Sequence, residues 1–125
     1  RKVPTRIEFL KPLGFFDYVR LQQDAACVLS DSGTLTEESS ILGFPAVMLR
    51  QAHERPEGMD EGTLIMSGLK PERVLAAVKA TMASYAEKQR PFALVADYAT
   101  DNVSAKVVRI IMSYTDYVNR TVWSK

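Results

Sequence analysis

One stretch of the sequence, residues 28–43 (VLSDSGTLTEESSILG), constrains the possible fold more than any other. The apolar run at residues 25–29 predicts a buried strand, a cluster of turn-forming residues follows at 30–33, and a helical pattern begins directly afterwards. A strand that passes through a tight polar turn into a helix leaves the helix N-terminus open at the carboxyl edge of the sheet. The free N–H groups and the positive end of the helix dipole form an anion site there, most often for phosphate. Ser32 adds a hydroxyl, and Gly33 allows a close backbone approach.

Two adjacent glutamates in this helix face different ways. If Leu35 marks the centre of the buried face, Glu38 falls at i+3, beside that face and toward the open N-terminal end, whereas Glu37 points to nearly the opposite side. We therefore interpret Glu37 as a solvated charge and Glu38 as a carboxylate suited to accept two hydrogen bonds from a ribose diol. The spacing is equally compatible with a Glu38 that only complements the helix N-terminus, worth under about 1 kcal/mol.

The whole chain has the composition of one ordinary globular domain. Its 125 residues, 46% hydrophobic and 25% charged, can bury a core without disulfides or metal. The net charge of +1 gives no indication of a nucleic-acid or membrane partner. The single cysteine, Cys27, lies in the apolar strand and predicts a small buried side chain; with no signal peptide or bilayer-spanning run, we expect a cytoplasmic location. The chain begins at Arg1 rather than Met, which indicates a piece of a longer protein.

Strand and helix patterns alternate along the rest of the chain. Strands are predicted at residues 5–10, 25–29, 46–49 and 62–68, and helices at 15–25, 35–42, from Pro71, and after a cap at Asp101 or Asn102. Residues 50–61 are predicted to form a loop, and residues 89–99 a connection. Two helices carry apolar stripes, which comprise Val74, Leu75, Val78, Met82 and Tyr85 in one, and Val103, Val107, Ile110, Ile111, Tyr114 and Val118 in the other.

This alternation predicts an α/β fold, a Rossmann-like parallel sheet flanked by helices on both faces. Ligands bind such sheets at the carboxyl ends of the strands. The segments that follow the first three strands, residues 13–18, 32–34 and 50–57, should therefore share one rim.

The third rim segment carries two arginines and the single histidine of the sequence. Arg50 or Arg55 could contact a diphosphate on the helix N-terminus, although Arg55 could equally pair with an acidic neighbour in a solvated loop. His53 is a candidate general acid or base, but a lone loop histidine is more often a surface residue. The acidic residues Glu54, Glu57, Asp60 and Glu61 lack a metal-ligand spacing, so no metal is expected. A GxGxxG motif is absent, so dinucleotide binding has no support.

Several of these motifs together resemble the non-hydrolysing UDP-N-acetylglucosamine 2-epimerase family. The resemblance rests on SDSGT at residues 30–34, on Glu37 and Glu38, on GFP at 43–45, and on Arg50 with ERPE at 54–57. It covers nearly all of this chain but only the carboxyl-terminal part of the family's sequence. The blocks SDSGTLTEESSILGFP, RQAHERPEG and SYTDYVNRTVW are most similar to the capsule and O-antigen branch, which makes UDP-N-acetyl-L-fucosamine.

The resemblance implies a fold and a set of binding residues. The family has two Rossmann-like domains in a glycosyltransferase-B-like arrangement, with the active site between them. Residues 1–125 resemble the second, UDP-binding domain, with a terminal helix at residues 101–120 that packs back toward the preceding N-terminal domain. The implied UDP contacts are Ser32, Gly33 and Thr34 for the diphosphate, Glu38 for the ribose, Arg55 for a phosphate or the sugar, and Tyr18 and Leu13 for the base. Two positions depart from the family pattern, because the general epimerases have a polar residue at Leu13 and many members have a second glycine at Thr34.

The resemblance also implies an activity. Such an isomerase removes the C2 proton of a UDP-N-acetylhexosamine, eliminates UDP to form a 2-acetamidoglycal, and adds UDP back with protonation on the other face. It needs no cofactor and acts as a homodimer when full-length. The acid–base residues lie outside this chain, so the chain alone is expected to be inactive. Two alternatives remain open at this point: the donor-binding domain of a B-type glycosyltransferase, and a non-catalytic nucleotide-sensing module.

Overall fold

A computed structural model describes residues 4–52 and 54–125 of the chain. The chain divides into two compact units, the first ending at Val95 and the second comprising Ala96–Lys125. In the first unit the elements follow in the order α1 Phe15–Asp24, β1 Val28–Ser30, α2 Leu35–Leu42, β2 Ala46–Met48, α3 Pro56–Asp60, β3 Ile65–Met66 and α4 Pro71–Glu87. The second unit contains a 3₁₀ turn at Ala96–Tyr98 and α5 Val103–Thr121.

The described strands form a parallel sheet of three strands in the order β1-β2-β3. Val28 pairs with Ala46, and Val47 pairs with Ile65. All three residues of the central strand β2 are buried, as expected for a parallel strand with neighbours on both edges. Both α2 and α4 contact β2, so the predicted parallel sheet flanked by helices is present.

The core lies between α2 and the sheet. It comprises Leu35, Phe44, Ala46, Met48 and Leu64, with Val28, Leu42 and Met59 packed against it. The helix ends where the sequence predicts, because Gly43 adopts a left-handed conformation with φ of 74° and donates its N–H to the Ser39 carbonyl at 2.8 Å. The predicted stretch of strand, turn, helix and strand is thus confirmed, although β1 begins and ends later than residues 25–29.

The strand predicted at residues 5–10 is absent, because no described segment pairs with it. A backbone bond from the Ile7 N–H to the Pro4 carbonyl at 3.1 Å closes a turn instead, and Phe9 is 83% exposed. Alternation of apolar residues indicates which face of a strand would be buried, but it does not show whether a neighbouring strand is present to form hydrogen bonds with the segment. The strand predicted at residues 62–68 shortens to Ile65–Met66, the two residues that pair in register with β2, and the Ser67 N–H donates to the Met48 carbonyl just beyond them.

Two other expectations for the first unit were wrong in part. The predicted loop at 50–61 contains a short helix, α3, which begins at Pro56. In α4, Val74, Val78 and Tyr85 of the predicted apolar stripe are half-buried, but Leu75 and Met82 are exposed. The fully buried residues are the small side chains of Ala77 and Thr81. Small residues at the centre of a helix contact allow the backbone to approach the sheet closely, so the larger apolar residues lie beside it.

The second unit is dominated by α5. The final helix is confirmed and Asn102 is its N-cap residue, although the Asn102 side chain makes no capping hydrogen bond. Five members of its predicted apolar stripe are 47–59% exposed, namely Val103, Val107, Ile110, Ile111 and Tyr114. Tyr114 and Tyr117 pack edge to face with their ring centroids 6.2 Å apart.

Candidate functional site

The carboxyl ends of β1 and β2 bring two predicted rim segments together. Ser30 pairs with Met48, and the Leu49 N–H donates to the Ser30 carbonyl at 2.9 Å. The turn at residues 31–34 and the segment that starts at residue 49 therefore leave the sheet at the same edge. The rim segment at residues 13–18 has no strand before it, but the helix that it begins, α1, contacts α2 through a side chain described below.

The turn between β1 and α2 is ordered by its own hydroxyl groups. The Ser30 hydroxyl accepts a hydrogen bond from the Ser32 N–H at 3.0 Å, and the hydroxyls of Ser32 and Thr34 lie 2.9 Å apart. The N–H groups of Leu35 and Thr36 donate to carbonyls of the turn. Within residues 4–52 and 54–125, the N–H groups of Gly33 and Thr34 donate to no acceptor. Such N–H groups at the start of a helix can bind an anion.

Arg55 lies over the start of α2. Its Nε donates to the Glu37 Oε1 at 2.6 Å, and the side chains of Arg55 and Glu37 are only 32% and 31% exposed. A Cβ added to Gly33 would collide with the Arg55 Nη1, so the guanidinium packs directly on this glycine. The interpretation of Glu37 as a solvated charge was therefore wrong, because the segment after β2 covers the side of α2 that faces away from Leu35.

The position of Arg55 depends on α3. Arg55 is the N-cap residue of this helix, and Gly58 packs so closely on Thr36 of α2 that a Cβ at Gly58 would collide with the Thr36 methyl. Pro56 followed by Glu57 is a helix-start signal, the same one that correctly predicted α4 at Pro71. This signal in residues 50–61 could have revealed α3.

Arg50 lies beside the same turn but is held by a different carboxylate. Its Nη2 donates to the Glu54 Oε1 at 2.8 Å. The Glu54 Oε2 would lie 3.8 Å from a Cβ at Gly33, so this carboxylate also borders the helix start. The charged side chains around the turn thus include two arginines, two glutamates and Asp31 of the turn itself, in addition to the positive end of the helix dipole.

Glu38 faces α1, on the other side of the site. Its Oε2 accepts a hydrogen bond of 2.6 Å from the Nε2 of Gln22, a side chain that is only 3% exposed. Burial raises the pKa of the Tyr18 hydroxyl, and the charge of Glu38 raises this pKa further. Tyr18 and Glu38, predicted to contact the base and the ribose, are therefore close neighbours. Sequence reasoning missed Gln22, although a polar residue four positions after Tyr18 on the inner face of an amphipathic helix was the available signal.

Other candidate residues are less constrained. Leu13 is 43% exposed in the irregular segment before α1, and His53 lies outside the described residues. Cys27 is half-buried rather than buried, and burial raises the pKa of its thiol. Among residues 4–52 and 54–125, no three His, Cys, Asp or Glu side chains are close enough to hold a metal ion. In the same part of the chain, every helix is too short or too polar to cross a membrane.

Comparison with known proteins decides the family. The model of the UDP-N-acetylglucosamine 2-epimerase family matches residues 1–112. The chain belongs to this family. The resemblance inferred from the motifs is thereby confirmed at the family level.

Individual members of the 2-epimerase family agree with this assignment. The UDP-N-acetylglucosamine 2-epimerase of Methanococcus maripaludis is 36% identical over 86 residues, which cover 69% of this chain and 24% of that protein. The structure of the Rickettsia bellii UDP-N-acetylglucosamine 2-epimerase is 58% identical with a TM-score of 0.86, over 96% of this chain and 33% of that one. The Methanocaldococcus jannaschii UDP-GlcNAc 2-epimerase, solved in complex with UDP-GlcNAc and UDP, is 28% identical with a TM-score of 0.73, over 87% of this chain and 28% of that one.

These matches confirm the predicted fold class, an α/β parallel sheet of the glycosyltransferase-B-like kind. The chain spans about a quarter of the curated 2-epimerase relative and about a third of the Rickettsia bellii structure.

Proposed function

We propose that this chain is the UDP-binding part of a UDP-N-acetylhexosamine 2-epimerase that supplies a precursor for surface polysaccharide. The observation that carries the proposal is the convergence of three groups at one edge of the sheet. They are the N-terminus of α2, the Arg55 guanidinium packed on Gly33, and the Glu38 carboxylate held by Gln22. The first two groups suit a diphosphate and the third suits a ribose, and Tyr18 beside Glu38 is available to a base.

The diphosphate would bind at the helix start. The N–H groups of Gly33 and Thr34 and the hydroxyl of Ser32 are its donors, and Arg55 supplies the positive charge. In the proposed reaction the C1–O bond to UDP breaks as the C2 proton leaves, so negative charge develops on the β-phosphate. Donors that are already in place stabilise this charge without reorganisation, which accelerates both elimination and re-addition of UDP.

Glu38 would accept hydrogen bonds from the ribose hydroxyls, and Tyr18 and Leu13 would border the uracil. The side chains of Tyr18 and Leu13 are 41% and 43% exposed, so a base can reach them. Support for a nucleotide-sugar ligand comes from the Methanocaldococcus jannaschii relative, whose structure contains UDP-GlcNAc and UDP. The acid–base residues for C2 are proposed to lie in a preceding domain, against which the exposed apolar stripe of α5 would pack. The whole enzyme is proposed to be a homodimer.

A calorimetric titration of UDP into this chain tests the proposal. We expect a Kd between micromolar and low millimolar, about −8 to −4 kcal/mol, with affinity several-fold weaker in Glu38→Ala. Glu72→Ala is the matched control, because Glu72 is an exposed glutamate in the first turn of a different helix, α4. Absence of UDP binding both in this chain and in the longest natural chain that carries this sequence would refute the proposal.

The reaction itself is tested on that longer chain. Proton NMR of a UDP-N-acetylhexosamine incubated with it should show inversion at C2, and the chain of 125 residues alone should show no turnover. Transfer of the sugar to an acceptor would instead support a glycosyltransferase. Stoichiometric UDP binding without any chemistry would support a nucleotide-sensing module.

A further inference from the structure

Gln22 occupies a position where an amide is costly. Within α1, all of whose residues the structure describes, Gln22 alone is buried. Its Oε1 is buried without a hydrogen-bond partner among the described residues, so the amide loses hydration that it does not fully recover. A methionine has similar length and no such loss. An apolar side chain at this position would therefore make the protein more stable, so stability does not explain why the residue is an amide.

Among the residues that the structure describes, this amide makes one hydrogen bond, to Glu38. The Nε2 of Gln22 donates to the Glu38 Oε2 at 2.6 Å, a short bond from a neutral donor to a carboxylate that joins α1 to α2. The amide cannot be reversed, because its oxygen would then face the carboxylate oxygen. A glutamate side chain has several rotatable bonds, and a bond to a buried, immobile neighbour fixes the direction of its carboxylate.

We propose that Gln22 is a positioning residue that orients the Glu38 carboxylate toward the ribose of the nucleotide. This inference rests on the proposed role of Glu38 in binding the ribose. With Oε2 held by Gln22, the Glu38 Oε1 is directed away from α1 and accepts one ribose hydroxyl, while the remaining lone pair of Oε2 accepts the other. Gln22 thus determines the preference for a ribonucleotide over a 2′-deoxyribonucleotide without contacting either.

The test measures the affinities of UDP, 2′-deoxy-UDP and inorganic pyrophosphate for the longest natural chain that carries this sequence. We expect UDP to bind the unchanged protein at least about tenfold more tightly than 2′-deoxy-UDP, the value of one hydrogen bond to a charged group. Gln22→Met should bring the two affinities within about twofold of each other, mainly by weakening UDP. Pyrophosphate lacks the ribose, so its affinity should not change.

Two further variants make the result specific. Gln23→Met places the same substitution at the exposed neighbouring position of α1 and should leave all three affinities unchanged. Gln22→Asn keeps the amide but is one methylene too short to reach Glu38, so it should behave as Gln22→Met does. This second variant decides the question if Gln22→Met fails to fold, and thermal melting shows which variants remain folded.

The outcomes separate this inference from the proposed function. If Glu38→Ala retains the preference for UDP over 2′-deoxy-UDP, then Glu38 does not bind the ribose, and the inference is overturned together with that part of the proposed function. If Glu38→Ala loses the preference while the folded Gln22 variants keep it in full, Gln22 is not a positioning residue and the proposed function stands. A parallel loss of pyrophosphate affinity in the Gln22 variants would indicate a purely structural role and would also overturn the inference.

Discussion

Arg55 and Glu37 form an ion pair, 2.6 Å from Nε to Oε1, that ties the segment after β2 to the first turn of α2. Both side chains are about two-thirds covered, so solvent screens this pair less than a fully exposed one. The pair leaves the Nη1 end of the guanidinium over Gly33, at the proposed position of the diphosphate. The geometry of Arg55 therefore depends on Glu37 on one side and on a missing side chain at Gly33 on the other.

Gly33→Ala should weaken binding without weakening the fold. The new Cβ would collide with the Arg55 Nη1 and displace the guanidinium from the helix start. We expect UDP and pyrophosphate affinity to fall about tenfold, the value of a charge-assisted contact. Gly33 is not among the glycines with positive φ, so alanine meets no backbone strain, and the melting temperature should stay close to that of the unchanged protein.

Gly14→Ala is the control for this substitution. At Gly14 an added Cβ lies 3.7 Å from the nearest atom, the Oδ2 of Asp17, which is an ordinary contact. Both UDP affinity and the melting temperature of Gly14→Ala should match the unchanged protein. Calorimetry that shows equal losses for the two glycine variants, or none for Gly33→Ala, would contradict the proposed position of Arg55.

Gly58→Ala should destabilise the protein and the site together. Gly58 and Thr36 are both buried, and an added Cβ would meet the Thr36 methyl, so α3 must move away from α2. We expect a loss of about 1–3 kcal/mol in the free energy of unfolding, measured with urea. UDP affinity should also fall, because Arg55 is the N-cap residue of α3.

A second substitution tests the cause of that loss. Thr36→Ser removes the methyl that the new Cβ would meet, so the double variant should recover part of the stability lost in Gly58→Ala. A coupling of at least about 0.5 kcal/mol between the two sites is expected for residues in direct contact. Strictly additive effects would show that α3 does not depend on this contact.

Arg90 should contribute to stability and not to binding. Its Nη2 donates to the carbonyls of Ser40 and Ile41 at 2.6 and 2.8 Å, which satisfies the C-terminal end of α2. Arg90→Met should lower the free energy of unfolding by about 1–2 kcal/mol. Lys79→Met, on the exposed surface of α4, is the control and should change it little. Equal urea midpoints for the two variants would rule out the capping role, and UDP affinity should be unchanged in both.

Tyr85 should make the folded state sensitive to alkaline pH. Its hydroxyl donates to the Phe44 carbonyl at 3.2 Å, and burial raises its pKa above 10.0, the ordinary tyrosine value. Because the folded pKa is the higher one, the unfolded chain loses this proton first as the pH rises. The stabilisation is complete below pH 10 and is lost as the pH rises through the folded pKa.

In Tyr85→Phe, the free energy of unfolding should decrease less steeply as the pH rises above 10. Urea unfolding at several pH values between about 8 and 11 compares the variant with the unchanged protein. The variant should be less stable at pH 8, because it lacks the hydrogen bond, and should lose less stability above pH 10. Tyr114→Phe, on the exposed face of α5, is the matched substitution and should keep the original slope. An unchanged slope in Tyr85→Phe would show that this hydroxyl is not responsible.

The elements around residues 28–48 could be predicted because local chemistry determines them. An apolar run, a cluster of turn residues and Gly43 with its left-handed φ each specify structure within a few residues. The predictions for Glu37 and for residues 5–10 failed because the structure at both places depends on residues that are far away in the sequence. Glu37 is covered because α3 packs on α2, which the sequence of α2 alone does not indicate. A segment with alternating apolar residues becomes a strand only when a neighbouring strand forms hydrogen bonds with it.

The site itself was predicted unevenly for the same reason. Gly33, Thr34 and Glu38 belong to one turn and one helix, so their relative positions follow from local geometry. The contact of Gln22 with Glu38 joins side chains 16 residues apart in different helices. Helical periodicity predicts on which face of its helix each residue lies. It does not predict which face of α1 contacts which face of α2.

Helix α2 has an arginine at each end, and the two act on its dipole with opposite sign. Arg90 lies at the negative end, where its charge favours the helix, whereas Arg55 lies at the positive end, where its ion pair with Glu37 opposes the unfavourable interaction of its charge with the dipole. The anion proposed to bind at the positive end would add stability that the chain does not supply by itself. Stabilities measured in phosphate buffer and in chloride of equal ionic strength should therefore differ, and Arg55→Met should remove that difference while Arg90→Met preserves it.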